Sequence, residues 1–243
     1  MHISQIFITD HHYEELPAYL KMATHSVKSQ MPHDHYHCYS KEELRTWILQ
    51  EYGNSMLKAF DKLIPYAYKA DLARYLLLYR LGGWYFDITV RVLNGVGVDD
   101  EVDFITFVDL PQYSQVSFAC NNAIIYSKAN SPILESTIYE VYHNIKNEKY
   151  GKNCLAPTGP LCLGKNIAKH FEQLSVVTGS FVALTPEFNN KNRGFVLNDG
   201  SILALHKKGN QGGDLTKLGI EGTNNYGELY NQRKIYDPEI ILD

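Results

Sequence analysis

Residues 65–90 read PYAYKADLARYLLLYRLGGWYFDITV, and this stretch decides the fold. Asp71 and Arg74 are three apart, so in a helix both side chains leave the same face. Ala70, Ala73 and Leu77 form an apolar row beside them at helical spacing. Gly82 and Gly83 can adopt the left-handed backbone that stops a helix. Beyond them Trp84, Phe86, Ile88 and Val90 alternate with Tyr85, Asp87 and Thr89, the period of a strand with one buried face. The expectation is a polar cluster of Asp71, Arg74 and Asp87 where a helix hands over to a strand.

Working outward, residues 3–9 read as a first strand and 16–29 as a helix, with Pro17 in its first turn. Residues 35–39 read as a second strand. Ser40 then caps a helix, with Glu43 three residues on completing a capping box. Strand, helix, strand, helix opens an α/β domain with a largely parallel sheet. After the central stretch, 104–109 and 122–127 read as strands and 132–145 as a helix capped by Ser131. Residues 161–171 read as a further helix, 181–184 and 201–206 as strands, with a hairpin turn at Asn198-Asp199-Gly200. The absence of a linker, repeat or low-complexity tract predicts one domain over 1–243, with a mobile Gly-, Asn- and Tyr-rich segment from about 207 to the end.

The 243 residues carry a mild net charge of -4, and no basic block is long enough to make nucleic acid the expected partner. The 18 tyrosines fit a carbohydrate-facing cleft equally well as a composition without purpose. Cys38, Cys120, Cys154 and Cys162 are scattered and do not have the paired spacing of a structural zinc site. The N-terminus MHISQIFIT lacks signal-peptide features, and no run approaches the roughly 18 apolar residues of a membrane span. A cytoplasmic protein with reduced thiols is expected, peripheral if it works at the inner membrane face.

The central stretch resembles the nucleotide-sugar glycosyltransferases of the GT-A fold. It is most similar to the family-32 sugar transferases, whose sugar-binding region contains an Asp-x-Asp motif. Ala70, Asp71, Arg74, Leu78, Gly82, Gly83, Tyr85 and Asp87 fit that pattern. Thr89 departs from it, standing where the family has a second Asp, and Asp-x-Thr is similar to the related capsular polysaccharide synthesis proteins. The resemblance implies a Rossmann-like sheet and transfer of a sugar, with retention, from a nucleotide-diphosphate sugar to a glycan or glycolipid. The implied setting is surface polysaccharide or lipid-linked glycan synthesis.

The same resemblance implies residue roles. Asp71, Arg74 and Asp87 are the catalytic set. Asp71 takes donor-sugar hydroxyls, Arg74 supports sugar or phosphate, and Asp87 is a metal ligand. Ile8, Tyr68, Gly83, Tyr85, Thr89, Asn121, Asn122 and Gly159, the last in Pro157-Thr158-Gly159-Pro160, join the donor site. Negative charge develops on the leaving diphosphate and needs a metal, basic side chains or a helix N-terminus. Mn²⁺ or Mg²⁺ is the expected cofactor, held by Asp87, Thr89 and His206. A hydroxyl is a weak ligand for such ions. Three cases therefore stay open: a metal held partly by the diphosphate and a ligand from elsewhere, a metal-independent site using Lys207, Lys208 or Arg74, or a degenerate site that binds sugar nucleotide without turnover. The chain has no Gly-x-Gly-x-x-Gly or Walker loop, which argues against other nucleotide-dependent α/β enzymes. His11 with His12, and His33, His35 and His37 with Cys38, are weaker metal or base candidates.

Overall fold

The computed structural model describes residues 1–10, 15–31, 35–184, 193–206 and 225–242. In chain order the elements are β1 (His2–Ile6), α1 (Ala18–Gln30), β2 (His35–Tyr39), α2 (Lys41–Tyr52), α3 (Asn54–Lys62), α4 (Tyr66–Leu81), β3 (Gly83–Phe86) and β4 (Arg91–Val92). Then follow β5 (Phe104–Val108), α5 (Pro111–Ser114), β6 (Cys120–Ser127), α6 (Pro132–Lys146), α7 (Pro160–His170), β7 (Val176–Ala183), β8 (Arg193–Val196), β9 (Ile202–Leu205) and α8 (Tyr226–Asn231). The strands form one nine-stranded sheet in the order β2-β1-β3-β6-β5-β7-β8-β9-β4.

The expectation of a mainly parallel sheet is corrected. The pairs β1–β2, β1–β3 and β5–β7 are parallel, but β3–β6, β5–β6, β7–β8, β8–β9 and β4–β9 are antiparallel. The opening β1-α1-β2 unit is parallel, as its helical crossover requires. The connection from β5 to β6 holds only the short α5, and β8 turns into β9 through Leu197–Ser201, so neither has a crossover helix that would return the chain parallel. The sheet is mixed and mostly antiparallel.

Helix α4 is the centre of the packing. Leu72, Ala73, Tyr75, Leu76 and Leu77 are fully buried, and the helix is covered nearly all round, so its polar residues need partners inside the protein. Gly82, at φ 65°, ends it, and its N–H donates to the Leu78 carbonyl at 2.9 Å. Gly83, at φ 87°, lies so close to the first strand that a Cβ there would sit 2.1 Å from the His2 carbonyl oxygen. Any side chain at 83 would force β1 and β3 apart.

The strand is shorter than the alternation predicts. β3 stops at Phe86, and Asp87 turns the chain, its carbonyl accepting from Val90 N–H at 2.9 Å. Both faces of β3 are buried rather than one. Trp84 and Phe86 pack with Val27, Phe107 and Phe195, while Tyr85 packs under α4 with Leu72 and Ile125. Alternation therefore reports which layer each residue enters, not which is wet.

The capping box on α2 forms as read: Ser40 N–H donates to Glu43 Oε2 at 2.7 Å, and Glu43 N–H to Ser40 Oγ at 3.3 Å. Ser131 occupies the N-cap position of α6 but makes no side-chain cap bond, and Pro17 lies at the N-cap of α1, outside the helix. The described part of the C-terminal segment packs on the domain. Ile64 N–H donates to Ile235 O at 2.9 Å, and Lys62 Nζ donates to the carbonyls of Asp237 at 2.9 Å and Ile240 at 2.7 Å. This contact brings α8 beside α4.

Candidate functional site

A pocket of about 280 Å³ opens at one edge of the sheet. The sheet order explains what lines it. Strands β3, β5, β7 and β9 run the same way, while β6 and β8 run against them. At this edge the forward strands end, contributing Asp87, Asp109, Phe181 and His206, and the reversed strands begin, contributing Asn121, Asn122 and Arg193. Helix α4 adds Tyr68, Asp71 and Arg74, the start of α7 adds Gly159 and Pro160, and α8 adds Tyr226. Ligands of open α/β sheets bind outside the carboxyl ends of the strands, at such an edge.

The core of the site is a network around Arg74. Its Nη2 meets Asp71 Oδ1 at 3.1 Å and its Nη1 meets Asp87 Oδ1 at 3.0 Å. Nη1 also donates to the Asn122 carbonyl at 2.5 Å and Nε to the Ala70 carbonyl at 3.1 Å. The guanidinium lies 4.5 Å over the Tyr85 ring, whose hydroxyl donates to Asp87 Oδ1 at 2.9 Å. Asp71 is held at both oxygens: Asn122 Nδ2 donates to Oδ1 at 2.8 Å and Thr158 Oγ1 to Oδ2 at 2.7 Å. Burial raises the Asp71 carboxyl above the usual carboxylate range, and Arg74, Thr158 and Asn122 pull against it.

The two carboxylates differ. Asp71 is buried and saturated by partners, whereas the Asp87 side chain is 20% exposed and takes both its contacts on Oδ1. Asp87 Oδ2 is thus the carboxylate oxygen of this network left for a ligand. Asp109, at the end of β5, accepts from Asn121 Nδ2 at 3.0 Å, and burial raises its carboxyl while Asn121 opposes the shift.

Thr158 was legible only as part of a turn, yet its hydroxyl holds a buried charge. A Thr158→Val protein keeps the volume and leaves Asp71 Oδ2 without its donor. The expected cost is about 1–3 kcal/mol in urea denaturation at pH 7. The lost bond favoured the ionised carboxyl, so the deficit is expected to shrink as pH falls and Asp71 protonates. An unchanged midpoint at both pH values would remove Thr158 from the network.

The pocket brings together eight of the residues read from the sequence: Tyr68, Asp71, Arg74, Asp87, Asn121, Asn122, Gly159 and His206. Gly159 is tight, a Cβ there falling 3.3 Å from Asp71 Oδ2. Ile8, Gly83, Tyr85 and Thr89 do not line it. Ile8 belongs to the core, Gly83 serves the β1 contact, Tyr85 supports Arg74 from below, and Thr89 is 1% exposed in the turn after Asp87. Lys207, Lys208, His11, His12 and His33 lie outside the described residues. His35 and His37 sit on the edge strand β2, with His37 Nε2 3.2 Å from Glu43 Oε1, and neither lines the pocket.

Arg193, Tyr113, Phe181 and Tyr226 line the pocket and were missed. No local motif marks them, because each reaches the edge from a different strand, connection or helix. The one signal was that a residue opening or closing a strand at this edge must face the pocket mouth.

Among the described residues no group of three or more His, Cys, Asp or Glu is placed to hold a metal ion. Asp87 and His206 share the pocket, so the residues present suit a divalent ion that takes further oxygens from a bound diphosphate. No described helix is long and apolar enough to cross a membrane.

Residues 17–104, from the start of α1 to the start of β5, match the family described as the glycosyltransferase sugar-binding region containing a DXD motif. Over those residues the chain is similar to glycosyltransferases. The match includes Asp71, Arg74 and Asp87 and stops before Asp109, Asn122, Arg193 and His206. Among solved structures, the PaToxG glycosyltransferase is 19% identical over 70% of this chain and 68% of its own, with a TM-score of 0.44. A solved transferase mutant is 15% identical over 79% of this chain and 92% of its own, with a TM-score of 0.38. No curated protein matches the chain significantly.

Proposed function

We propose that this protein is a glycosyltransferase that takes a sugar from a nucleotide-diphosphate donor and passes it, with retention, to a glycan or glycolipid hydroxyl. The observation that carries the reading is Asp87, held by Arg74 and Tyr85 through one oxygen and open at the other, on the wall of a strand-end pocket. Asp71, already saturated, fixes Arg74 and Asn122 beside it, and the open Asp87 oxygen is the acceptor suited to a sugar hydroxyl.

In the reaction the bond from the anomeric carbon to the β-phosphate oxygen breaks, and its electron pair stays on the phosphate. The acceptor oxygen bonds to the same face of that carbon, and its proton passes to the leaving phosphate. Among the described residues no side chain is an obvious covalent nucleophile, which favours this front-face course. A divalent ion, when bound, supplies charge neutralisation to the diphosphate. Asp87 and His206 are pocket residues that would hold it, and Thr89 would contribute at most through the turn that sets Asp87. GT-A topology, a cytoplasmic place at the inner membrane face and a part in surface polysaccharide or lipid-linked glycan assembly belong to the same reading.

The test is a screen of nucleotide sugars by thermal shift with Mn²⁺ or with chelator, followed by detection of released nucleoside diphosphate. A true donor is expected to raise the melting temperature and to be turned over. Stabilisation follows mass action, about 2.7 kcal/mol at a hundredfold excess over Kd. Binding without any product release, with acceptor glycans supplied, would mark a silent binding module. No shift with any nucleotide sugar would overturn the donor assignment.

A further inference from the structure

The pocket has two guanidinium groups on its wall, and they are held in different ways. Arg74 is shared between the carboxylates of Asp71 and Asp87 and also donates to two backbone carbonyls. Its charge is already divided between two anions, and its geometry is fixed by the helix that carries it. Placing a phosphate on Arg74 would set that phosphate against Asp71 and Asp87, two negative groups in a partly dry site.

Arg193 is 6% exposed as a residue and opens β8 at the pocket edge. Tyr113 grips it: the guanidinium lies 4.3 Å over the Tyr113 ring and Nη2 donates to the Tyr113 hydroxyl. Tyr113 comes from α5, in the connection from β5 to β6, so two segments 80 residues apart hold one cation. Asp109 attracts Arg193, but Asp109 Oδ1 also accepts from Asn121.

The neighbour of Arg193 is His206. The His206 N–H donates to the Arg193 carbonyl at 2.9 Å across the β8–β9 pair. The imidazole rests on Phe181, with ring centroids 4.9 Å apart. One wall of the pocket is therefore α4 and the end of β3, dominated by carboxylates, and another is the β7–β9 edge, with a guanidinium and an imidazole on an aromatic bed. A donor has two matching ends. Its sugar hydroxyls suit the carboxylate wall, and its diphosphate suits the other. A planar guanidinium presents paired N–H groups that match two phosphate oxygens, which an ammonium does not.

We propose that Arg193 binds the donor diphosphate, with its fork of N–H groups on the phosphate oxygens, and so carries part of the charge that builds on the leaving group. Tyr113 is a positioning residue that fixes the plane of that fork. The inference rests on the donor reading above, and it adds a residue outside the segment that matches the glycosyltransferase family.

Titration calorimetry of the full chain with uridine, guanosine, adenosine and cytidine diphosphates tests it, in fixed Mn²⁺ and at two salt concentrations. Arg193→Gln is expected to weaken the diphosphate that binds by about tenfold or more, and to flatten the dependence of Kd on salt. Arg193→Lys keeps the charge without the fork and is expected to fall between. Tyr113→Phe keeps the charge and the ring under it but loses the hydroxyl that fixes the fork, so its Kd rises while its salt dependence stays as in the wild type. If Arg193→Gln fails to fold by circular dichroism, Arg193→Lys decides: wild-type affinity overturns the inference, and a clear loss supports it. A folded Arg193→Gln that binds within twofold of wild type overturns it and leaves the donor reading standing. A wild-type protein that binds none of the four diphosphates overturns the donor reading itself.

Discussion

An Arg74→Met protein is expected to lose about 3–5 kcal/mol of folding stability. Methionine fills much of the space, so the loss is one of charge and hydrogen bonds rather than volume. Asp71 would keep its Asn122 and Thr158 donors but lose the cation at 3.1 Å. Asp87 would lose its partner at 3.0 Å, and the carbonyls of Ala70 and Asn122 would lose theirs. A buried carboxylate without its cation is the costly term. In the variant the Asp71 carboxyl rises further, so its ionised form is the state that suffers. The deficit is therefore expected to be largest at neutral pH and to shrink as pH falls through the raised pKa of that carboxyl. Urea denaturation at pH 7 and pH 5 measures it. Adding Asp71→Asn to Arg74→Met should recover part of the loss, because the two groups are coupled directly. A deficit under about 1 kcal/mol, or one that grows on acidification, would show that the ion pair is not what stabilises this helix in the core.

The local part of the site was legible. Asp71 and Arg74 had to share a face, Gly82 had to end the helix, and Asp87 had to follow within one short strand, because each is a relation between near neighbours. The reasons for some of those residues were not legible. Gly83 reads as a helix stop and, by resemblance, a donor-site residue, but it is the close approach of the His2 backbone that requires it. Tyr85 reads as an aromatic beside the donor, but it supports Arg74 and tethers Asp87. Thr89 reads as a second ligand, but the chain has already turned at Asp87 and buried it.

Strand direction was the larger miss. The first unit, β1-α1-β2, set an expectation of parallel pairing that β6 breaks by entering between β3 and β5 against both. Hydrophobic period is the same in either direction, so nothing in residues 120–127 records it. Yet the reversal is what brings Asn121 and Asn122, at the start of β6, to the same edge as Asp87 at the end of β3. The reversal of β8 does the same for Arg193 beside His206. Residues that share a site through strand pairing have no fixed spacing to read.

Asp87→Asn is expected to lower glycosyl transfer by about 10²–10³-fold while leaving the fold intact. The amide oxygen can still accept from Arg74 and the Tyr85 hydroxyl, so the scaffold contacts survive in form. The side chain is 20% exposed, and the change adds no volume. What is lost is the negative charge and the open Oδ2, the feature that distinguishes Asp87 from the saturated Asp71. The expected pattern is a fall in kcat with a melting temperature close to wild type, and a weaker response of activity to added Mn²⁺. Arg74→Met differs, because it weakens fold and activity together. Steady-state transfer, read beside thermal denaturation of the same preparations, separates the two. A folded Asp87→Asn protein with full activity would remove this carboxylate from the chemistry and leave the pocket's other wall, around Arg193 and His206, to account for transfer.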